Sequence, residues 1–456
     1  MLSRVTGYVT IYLAVCTMGV HCDWYDEKKF HTLVQQQPLY ALHSKPGLPK
    51  VVYLDFGVGN HIDLGETCWG GEGVCGPVIW GAEDERTHVE YIWAVIAEAY
   101  SPFEVDVTTE YVGGNNDFIL RSNASDERYG IRVIFSECAV PPPGGSGVAG
   151  YVGIYDRIDD KHECPILMGT PSLYYWMCYM ARAATHEVGH AFGLNHMHSV
   201  TAEYYGGIAA HPGCLGWAPV MGWPLYVDMP RFSNGEYPNF VQGDSTDELA
   251  IIATFVPYTP DDAPNTAPGL DLQIGPNLTY TFKGCISNSS DQDWFRVGAA
   301  EGMMSVTVLV ALPTSSLDID LTLVYNSTSV GTLQKTFSND PSFGYYGYPT
   351  FGPTVISYNV STAGYFDIIV KGQGCGTGDR GGYNAYGSIG TYTLTILVTA
   401  PWSPPTTTPT PNTTTAQTTT PTPTPTVTPT SSTALYATAA AVAGMLILSV
   451  VAFTLM

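Results

Sequence analysis

The sequence predicts an α+β domain, a twisted sheet with one long histidine-bearing helix. An all-β sandwich, a disordered Thr/Pro stalk and a C-terminal hydrophobic anchor follow it. Three observations predict this order. Over residues 50–258, short apolar runs alternate with a helical stripe. From Asn265 to Thr399 helical periodicity vanishes, and alternating runs recur between turn residues, as in a sandwich. Past residue 400 the chain is almost only Thr, Pro and Ser, and it then ends in small and apolar residues.

The whole-chain numbers bound the function classes. The 456 residues suffice for two domains with appendages, and 45% hydrophobic content supports a sizeable core. Lys and Arg total 18 against 41 Asp and Glu, a formal charge of −23. Nucleic-acid binding needs a basic footprint, so it is excluded. The acidity is read as solubility on a secreted surface.

Residues 1–22 read as a secretory signal peptide, with Arg4 in the positive region and a mostly apolar run from Gly7 to Val20. Cleavage is expected after Gly19 or after Cys22. Residues 23–49 are a polar leader or short pro-segment; they contain no cysteine to cap a metal, leaving Asp23 or Asp26 for that role. In 50–258, Val51–Phe56 is a first strand, and Val89, Ile92, Trp93 and Ile96 give a core-facing stripe on a helix from His88 to Ala99. Val105–Thr109 and Ile131–Phe135 are further strands, and Gly150–Ile154 an edge strand. Pro143–Gly147 is a loop and no phosphate cradle, since no Lys-Ser/Thr and helix follow it. A helix is expected from about Ser172 to Phe192. Residues 259–268 form a Pro- and Asp-rich linker, and 269–400 the sandwich. Its runs are Thr279–Phe282, Trp294–Val297, Ser305–Val310, Leu321–Tyr325, Phe366–Val370 and Tyr392–Leu397.

Residues 401–433 read as an extended mucin-like stalk without a core. Ala434–Met456 is long enough to span a bilayer, yet no Lys or Arg follows it. Small residues at Ser431, Ser432 and Thr433 precede it, so a glycolipid-anchor signal is favoured over a transmembrane helix. Either anchor holds the protein body outside the cell. The mature chain keeps Cys68, Cys75, Cys138, Cys164, Cys178, Cys214, Cys285 and Cys375, an even set that indicates disulfides in a secreted chain. Cys68 with Cys75 closes a small loop, and Cys285 is expected to pair with Cys375 inside the sandwich. The other four leave three pairings open. N-x-S/T sequons at Asn123, Asn277, Asn288, Asn326, Asn359 and Asn412 fit an exported glycoprotein.

One string carries the chemistry. His186-Glu187-Val188-Gly189-His190-Ala191-Phe192-Gly193-Leu194-Asn195-His196 reads H-E-x-x-H-x-x-G-x-x-H. His186 and His190 are four apart, so they share one helix face and reach one ion. Gly193 permits a sharp turn off the helix, which brings His196 round as a third ligand. Three neutral imidazoles leave one tetrahedral position open, the catalytic zinc pattern. Glu187 stands beside that position as a general base. His198 and His211 are read as loop histidines outside the ligand set.

This string resembles the metzincin clan of zinc endopeptidases, which carries a methionine turn beneath the metal. Ala218-Pro219-Val220-Met221-Gly222 fits that turn, with Met221 as a soft apolar floor. Tyr53–Gly57, Ala97–Phe103, Val105–Glu110, Gly216–Gly222 and Ser233–Tyr237 look like blocks of a metzincin-like group found mostly in secreted bacterial proteins. The β domain looks like a pre-peptidase C-terminal domain, through the D-x-D-W-F run Asp291-Gln292-Asp293-Trp294-Phe295. The first domain is then a metzincin-like catalytic domain. Two positions depart from the pattern. Met197 follows the third histidine where many relatives carry Asp. Trp223 stands two residues after the turn methionine, where some carry a tyrosine that helps bind the oxyanion. Tyr226 is close but misplaced, so that helper is unassigned. The resemblance implies an S1′ wall near residues 217–232.

The expected activity is zinc-dependent endopeptidase hydrolysis of proteins or peptides, at the extracellular face of the plasma membrane. One catalytic Zn²⁺ is the implied cofactor. A structural Ca²⁺ on Asp291, Asp293, Asp318 and Asp320 is a further expectation, as is matrix or glycan binding by the β domain. The competing expectation is a surface adhesion or matrix/glycan-binding protein with a vestigial peptidase domain. The intact Glu187 separates them, because a binding relic has no need of a base beside three ligands.

Overall fold

The structure is a computed structural model. It describes residues 38–57, 62–63, 74–75, 78, 85–111, 121–136, 148–149, 152–158, 164–169, 177–209, 214–224, 227–237, 239–241, 247–275, 277–311, 315–334, 353–376 and 382–403. The signal peptide, most of the leader and stalk, the anchor, His211 and Tyr226 lie outside the described residues. Among these residues the protein is mostly β-sheet with few helices.

The first sheet has five strands in the order β4-β1-β5-β7-β6. They are β1 (Lys50–Asp55), β4 (Asp106–Thr108), β5 (Tyr129–Ser136), β6 (Val148–Ala149) and β7 (Ile166–Gly169). β1 runs parallel to β4 and β5, β5 runs parallel to β7, and β6 is an antiparallel edge. β5 and β7 are buried at every position, which is why they read as apolar runs with little alternation. Two short pairs flank the domain: β2 (Ile62–Asp63) with β3 (Val74–Cys75), and β8 (Trp217–Pro219) with β9 (Met229–Arg231).

Helices α1 (Glu85–Ala99) and α2 (Met177–Ala191) pack together beside this sheet. α1 buries Val89, Ile92 and Ile96 of the expected stripe, while Trp93 is half-buried. A third helix, α3 (Glu248–Phe255), is capped by Asp247, whose side chain accepts from the Ala250 N–H. The edge strand is not Gly150–Ile154. It is β6, just before, and residues 152–154 form a turn with Gly153 at φ +68°. That turn is held by the end of α2: Gly153 N–H donates to His190 O (2.8 Å) and Tyr155 N–H to Ala191 O (3.0 Å). The helix carbonyls compete successfully with strand pairing.

The second half is a sandwich. One sheet has the order β10-β12-β17-β14-β15, the other β11-β18-β13-β16. The first comprises β10 (Leu270–Leu272), β12 (Gln292–Ala299), β14 (Ile319–Tyr325), β15 (Thr328–Gln334) and β17 (Gly364–Gly372). The second comprises β11 (Thr279–Ile286), β13 (Gly302–Val310), β16 (Thr354–Val360) and β18 (Gly390–Val398). Alternating residues such as Met304, Val306, Val308 and Val310 fill the space between the sheets. All six sequence-predicted runs lie in strands, and β10, β15 and β16 are additional.

The two halves belong to one compact unit. Glu98 at the end of α1 accepts from Ser315 Oγ (2.7 Å) and Thr391 N (2.9 Å). Arg231 is fully buried, donates to Asn384 O (3.1 Å) and lies over the Tyr383 ring at 4.0 Å. Trp217 Nε1 donates to Gly382 O (3.1 Å). The expected Cys285–Cys375 disulfide is overturned: Cys375 bonds Cys214, with Cα atoms 5.6 Å apart, and so links the halves covalently. Cys285 sits on β11, where its thiol lies 3.7 Å from Ser101 O, turned towards the α1–β4 connection. Cysteine pairing needs Cα atoms within about 7 Å, which sequence spacing does not supply.

Candidate metal centre

α2 supplies the first two histidines one turn apart on one face. Their ring centroids lie 4.8 Å apart. The helix ends at Ala191, and the chain turns off it through Gly193, whose φ of +86° lies where a side chain is strained. Gly193 N–H donates to His190 O (2.8 Å) and Leu194 N–H to Gly189 O (3.0 Å), closing the last turn. The chain then reverses and returns His196. The donor atoms of His186, His190 and His196 all lie within 4.8 Å of one another.

Backbone carbonyls fix which nitrogen faces the centre. His186 Nδ1 is 2.7 Å from Val220 O, and His190 Nδ1 is 2.7 Å from Leu194 O. A carbonyl only accepts, so each Nδ1 carries the proton and each Nε2 lone pair is left for a ligand role. The Nε2 atoms of His190 and His196 are 3.0 Å apart. Two nitrogens on one tetrahedral zinc lie about 3.3 Å apart, so the rings are spaced as for an ion between them. Burial pushes the His186 ring down to about 3 and the His190 ring down to about 4, and it also lowers His196. All three are thus neutral near pH 7, the form that ligates. Donor type, tautomer and spacing together fit zinc. Glu187, next to His186, is pushed up to about 7 by burial.

The expected methionine lies under this helix. Met221 is fully buried, and a Cβ added at Gly189 would meet its Sδ at 2.5 Å. Gly189, between the two helical histidines, therefore leaves the room that Met221 fills. Met221 O accepts from Met197 N–H (2.8 Å), and Val220 O holds His186, so the turn supports the site twice.

Three residues at the site carry no motif signal. Arg182, one turn before His186, donates Nη1 to Pro224 O (3.0 Å) and Val227 O (2.7 Å), anchoring the chain after Met221. Glu203 Oε1 lies 3.4 Å from His196 Nδ1. The Tyr204 ring is 4.2 Å from His196 and 5.8 Å, edge-on, from Trp223. Their loop is placed by Tyr205, whose N–H donates to Met197 O (2.8 Å) and whose O accepts from Trp223 N–H (2.9 Å). Such a loop contact is fixed by backbone pairing and leaves no spacing signature.

His198 stays outside the triad, and its carbonyl accepts from Tyr237 OH (3.0 Å). The four acids expected to share a calcium ion do not converge. Asp318 accepts from Tyr383 OH (2.9 Å) and Gln373 Nε2 (3.1 Å), and Asp320 pairs with Lys371 (3.4 Å). Asp291 and Asp293 instead gather with Asp261.

No protein-family model matches the chain, and no curated protein matches it. Among solved structures, it is similar to a pre-peptidase C-terminal domain of a collagenase from Bacillus anthracis at 14% identity. That match covers 28% of this chain and 92% of the other, with a TM-score of 0.17. A periplasmic inhibitor of g-type lysozyme from Salmonella Typhimurium matches at 16% identity over 28% of this chain and 95% of its own, TM-score 0.18. A surface-associated copper-binding protein from Methylomicrobium album BG8 matches at 10% identity, 28% and 96% coverage, TM-score 0.18.

Proposed function

We propose that this chain is a metzincin-like zinc endopeptidase, anchored outside the cell by its C-terminal segment. The observation that carries the reading is the tri-histidine centre with Nδ1 of His186 and His190 held by carbonyls, and Glu187 follows His186 directly on the same helix. His186, His190 and His196 would hold the ion, the first two through Nε2. Zinc, when bound, supplies a Lewis acid that acidifies water and polarises a carbonyl. Glu187 takes the proton of the attacking water and passes it to the amine that leaves. Its burial keeps the carboxyl close to neutral affinity, so it both accepts and releases the proton. Met221 and Arg182 position the helix and the loop below it. Trp223, 40% exposed, and Tyr204 offer an aromatic rim to a peptide side chain.

No helix among the described residues is long and apolar enough to cross a membrane, and the proposed anchor lies outside them. The test is hydrolysis of casein or gelatin by the full chain. Cleavage that a chelator stops and added zinc restores supports the proposal. Absence of cleavage in zinc-loaded protein, across a broad peptide library, contradicts it and favours the adhesion reading.

A further inference from the structure

Glu203 puts a carboxylate in solvent beside the metal centre. Its side chain is 74% exposed, and Oε1 lies 3.4 Å from His196 Nδ1. His196 turns its other nitrogen inward, with Nε2 3.0 Å from His190 Nε2. One imidazole ring therefore separates the carboxylate from the point where the three histidines converge. A carboxylate offers two oxygens, and the contact to His196 uses one. Among the described residues no Lys or Arg pairs with Glu203.

Two aromatic rings stand next to this acid. Tyr204 is half-buried, with its ring 4.2 Å from His196 and 6.1 Å from His186. Trp223 meets Tyr204 edge-on at 5.8 Å and is exposed. Among the described residues no Lys or Arg stacks on either ring. The two loops that carry these residues are locked to each other. Tyr205 O accepts from Trp223 N–H (2.9 Å), and a Cβ at Gly222 would meet Tyr205 O at 2.5 Å. Glycine at 222 lets the backbones approach this closely. The acid and the rings are thus held together as one wall of the centre.

We infer that Glu203, Tyr204 and Trp223 form a subsite for a basic side chain, so that the substrates are cationic peptides with Arg or Lys beside the cleaved bond. This rests on the peptidase reading. An aromatic face attracts a cation, and a carboxylate pairs with it, so the combination selects against neutral and acidic side chains. Arg fits better than Lys, because its planar guanidinium both stacks on an indole and matches a carboxylate. Its apolar stem covers ring surface while its head reaches the acid. The position suits a residue flanking the cleaved bond, because the Tyr204 ring lies against His196, whose Nε2 faces the centre. The formal charge of −23 works in the same direction, drawing cationic peptides to the surface and repelling acidic ones.

The test is cleavage, by the zinc-loaded full chain, of a peptide library varied on either side of one bond. At one of these positions kcat/KM should be about tenfold or more higher for Arg than for norleucine, and lowest for Glu. Glu203→Gln should keep one zinc per chain and cut the Arg-to-norleucine ratio about three- to tenfold. Glu203→Lys should reverse the order of the Arg and Glu peptides. Trp223→Ala should also cut the ratio about three- to tenfold. Binding is read separately, by calorimetry of the Arg peptide and its norleucine twin on zinc-loaded Glu187→Ala protein. The Arg peptide should bind more tightly, and adding Glu203→Gln should close the gap. Cleavage with no preference for a basic residue overturns the inference and leaves the peptidase reading standing. So does a ratio unchanged in both Glu203→Gln and Trp223→Ala. A Glu203→Gln protein that is slower on every peptide alike assigns Glu203 to orienting His196, and it too overturns the inference. Preferential binding of the Arg peptide by a parent that cleaves nothing supports the subsite and overturns the peptidase reading instead.

Discussion

Single residues bear the sharpest consequences. Glu187→Ala removes the base and no ligand, so zinc should stay bound while the rate of hydrolysis falls roughly 100- to 10,000-fold. Tyr204 packs its ring on His196. Tyr204→Phe keeps that ring, and Tyr204→Ala removes it; zinc competition with a chelator should find affinity unchanged in the first and reduced about tenfold or more in the second. Glu98 gives a pH signature away from the centre. Burial raises its carboxyl from 4.5 to about 7 in the fold. The folded protein therefore holds the proton more tightly than the unfolded chain does. The linked stability is fully present below pH 4.5 and is lost as pH rises through about 7. The contribution is up to roughly 3 kcal/mol. Urea denaturation at pH 5 and pH 8 should show a difference that shrinks in Glu98→Gln; an unchanged difference would count against this origin.

At the scale of elements, legibility followed the physics of each segment. α2 with its two histidines was readable because a helix converts a spacing of four into one face, and His196 because Gly193 signals the turn that returns it. The sandwich strands with strict alternation were readable for the same reason of period. β15 was not, since it follows the turn Asn326-Ser327, where both residues have positive φ (49° and 62°) but neither is glycine. The turn at Gly153 read as strand because its local pattern is apolar, while its backbone partners are the carbonyls of α2. Glu203, Tyr204 and Arg182 reach the centre through tertiary contacts, and no local pattern announces those. Packing under α2 gives a further test. Gly189→Ala places a Cβ where Met221 Sδ lies. Overpacking of this kind costs about 1–3 kcal/mol, and zinc affinity should fall with it, measurable by thermal unfolding with and without metal.

For the molecule as a whole, the two halves work as one body. Glu98, Trp217 and Arg231 of the first half all make hydrogen bonds to the second. Cys214 and Cys375, 161 residues apart in sequence, are joined across it. Paired Cys214→Ser and Cys375→Ser substitutions should lower stability by about 2–5 kcal/mol, because a long loop is released in the unfolded chain. The midpoint of guanidinium denaturation measures this, and an unmoved midpoint would rule out a stabilising role. The pairing itself was hidden in the sequence, where composition separates the halves and nothing marks their contact. The account as a whole turns on the metal centre. Its most direct test is zinc content and casein cleavage of the full chain, beside Glu187→Ala and His196→Ala. The account predicts one zinc per chain in the parent and in Glu187→Ala, little in His196→Ala, and cleavage by the parent alone. A parent that binds no zinc, or a Glu187→Ala protein that cleaves as fast as the parent, would contradict it.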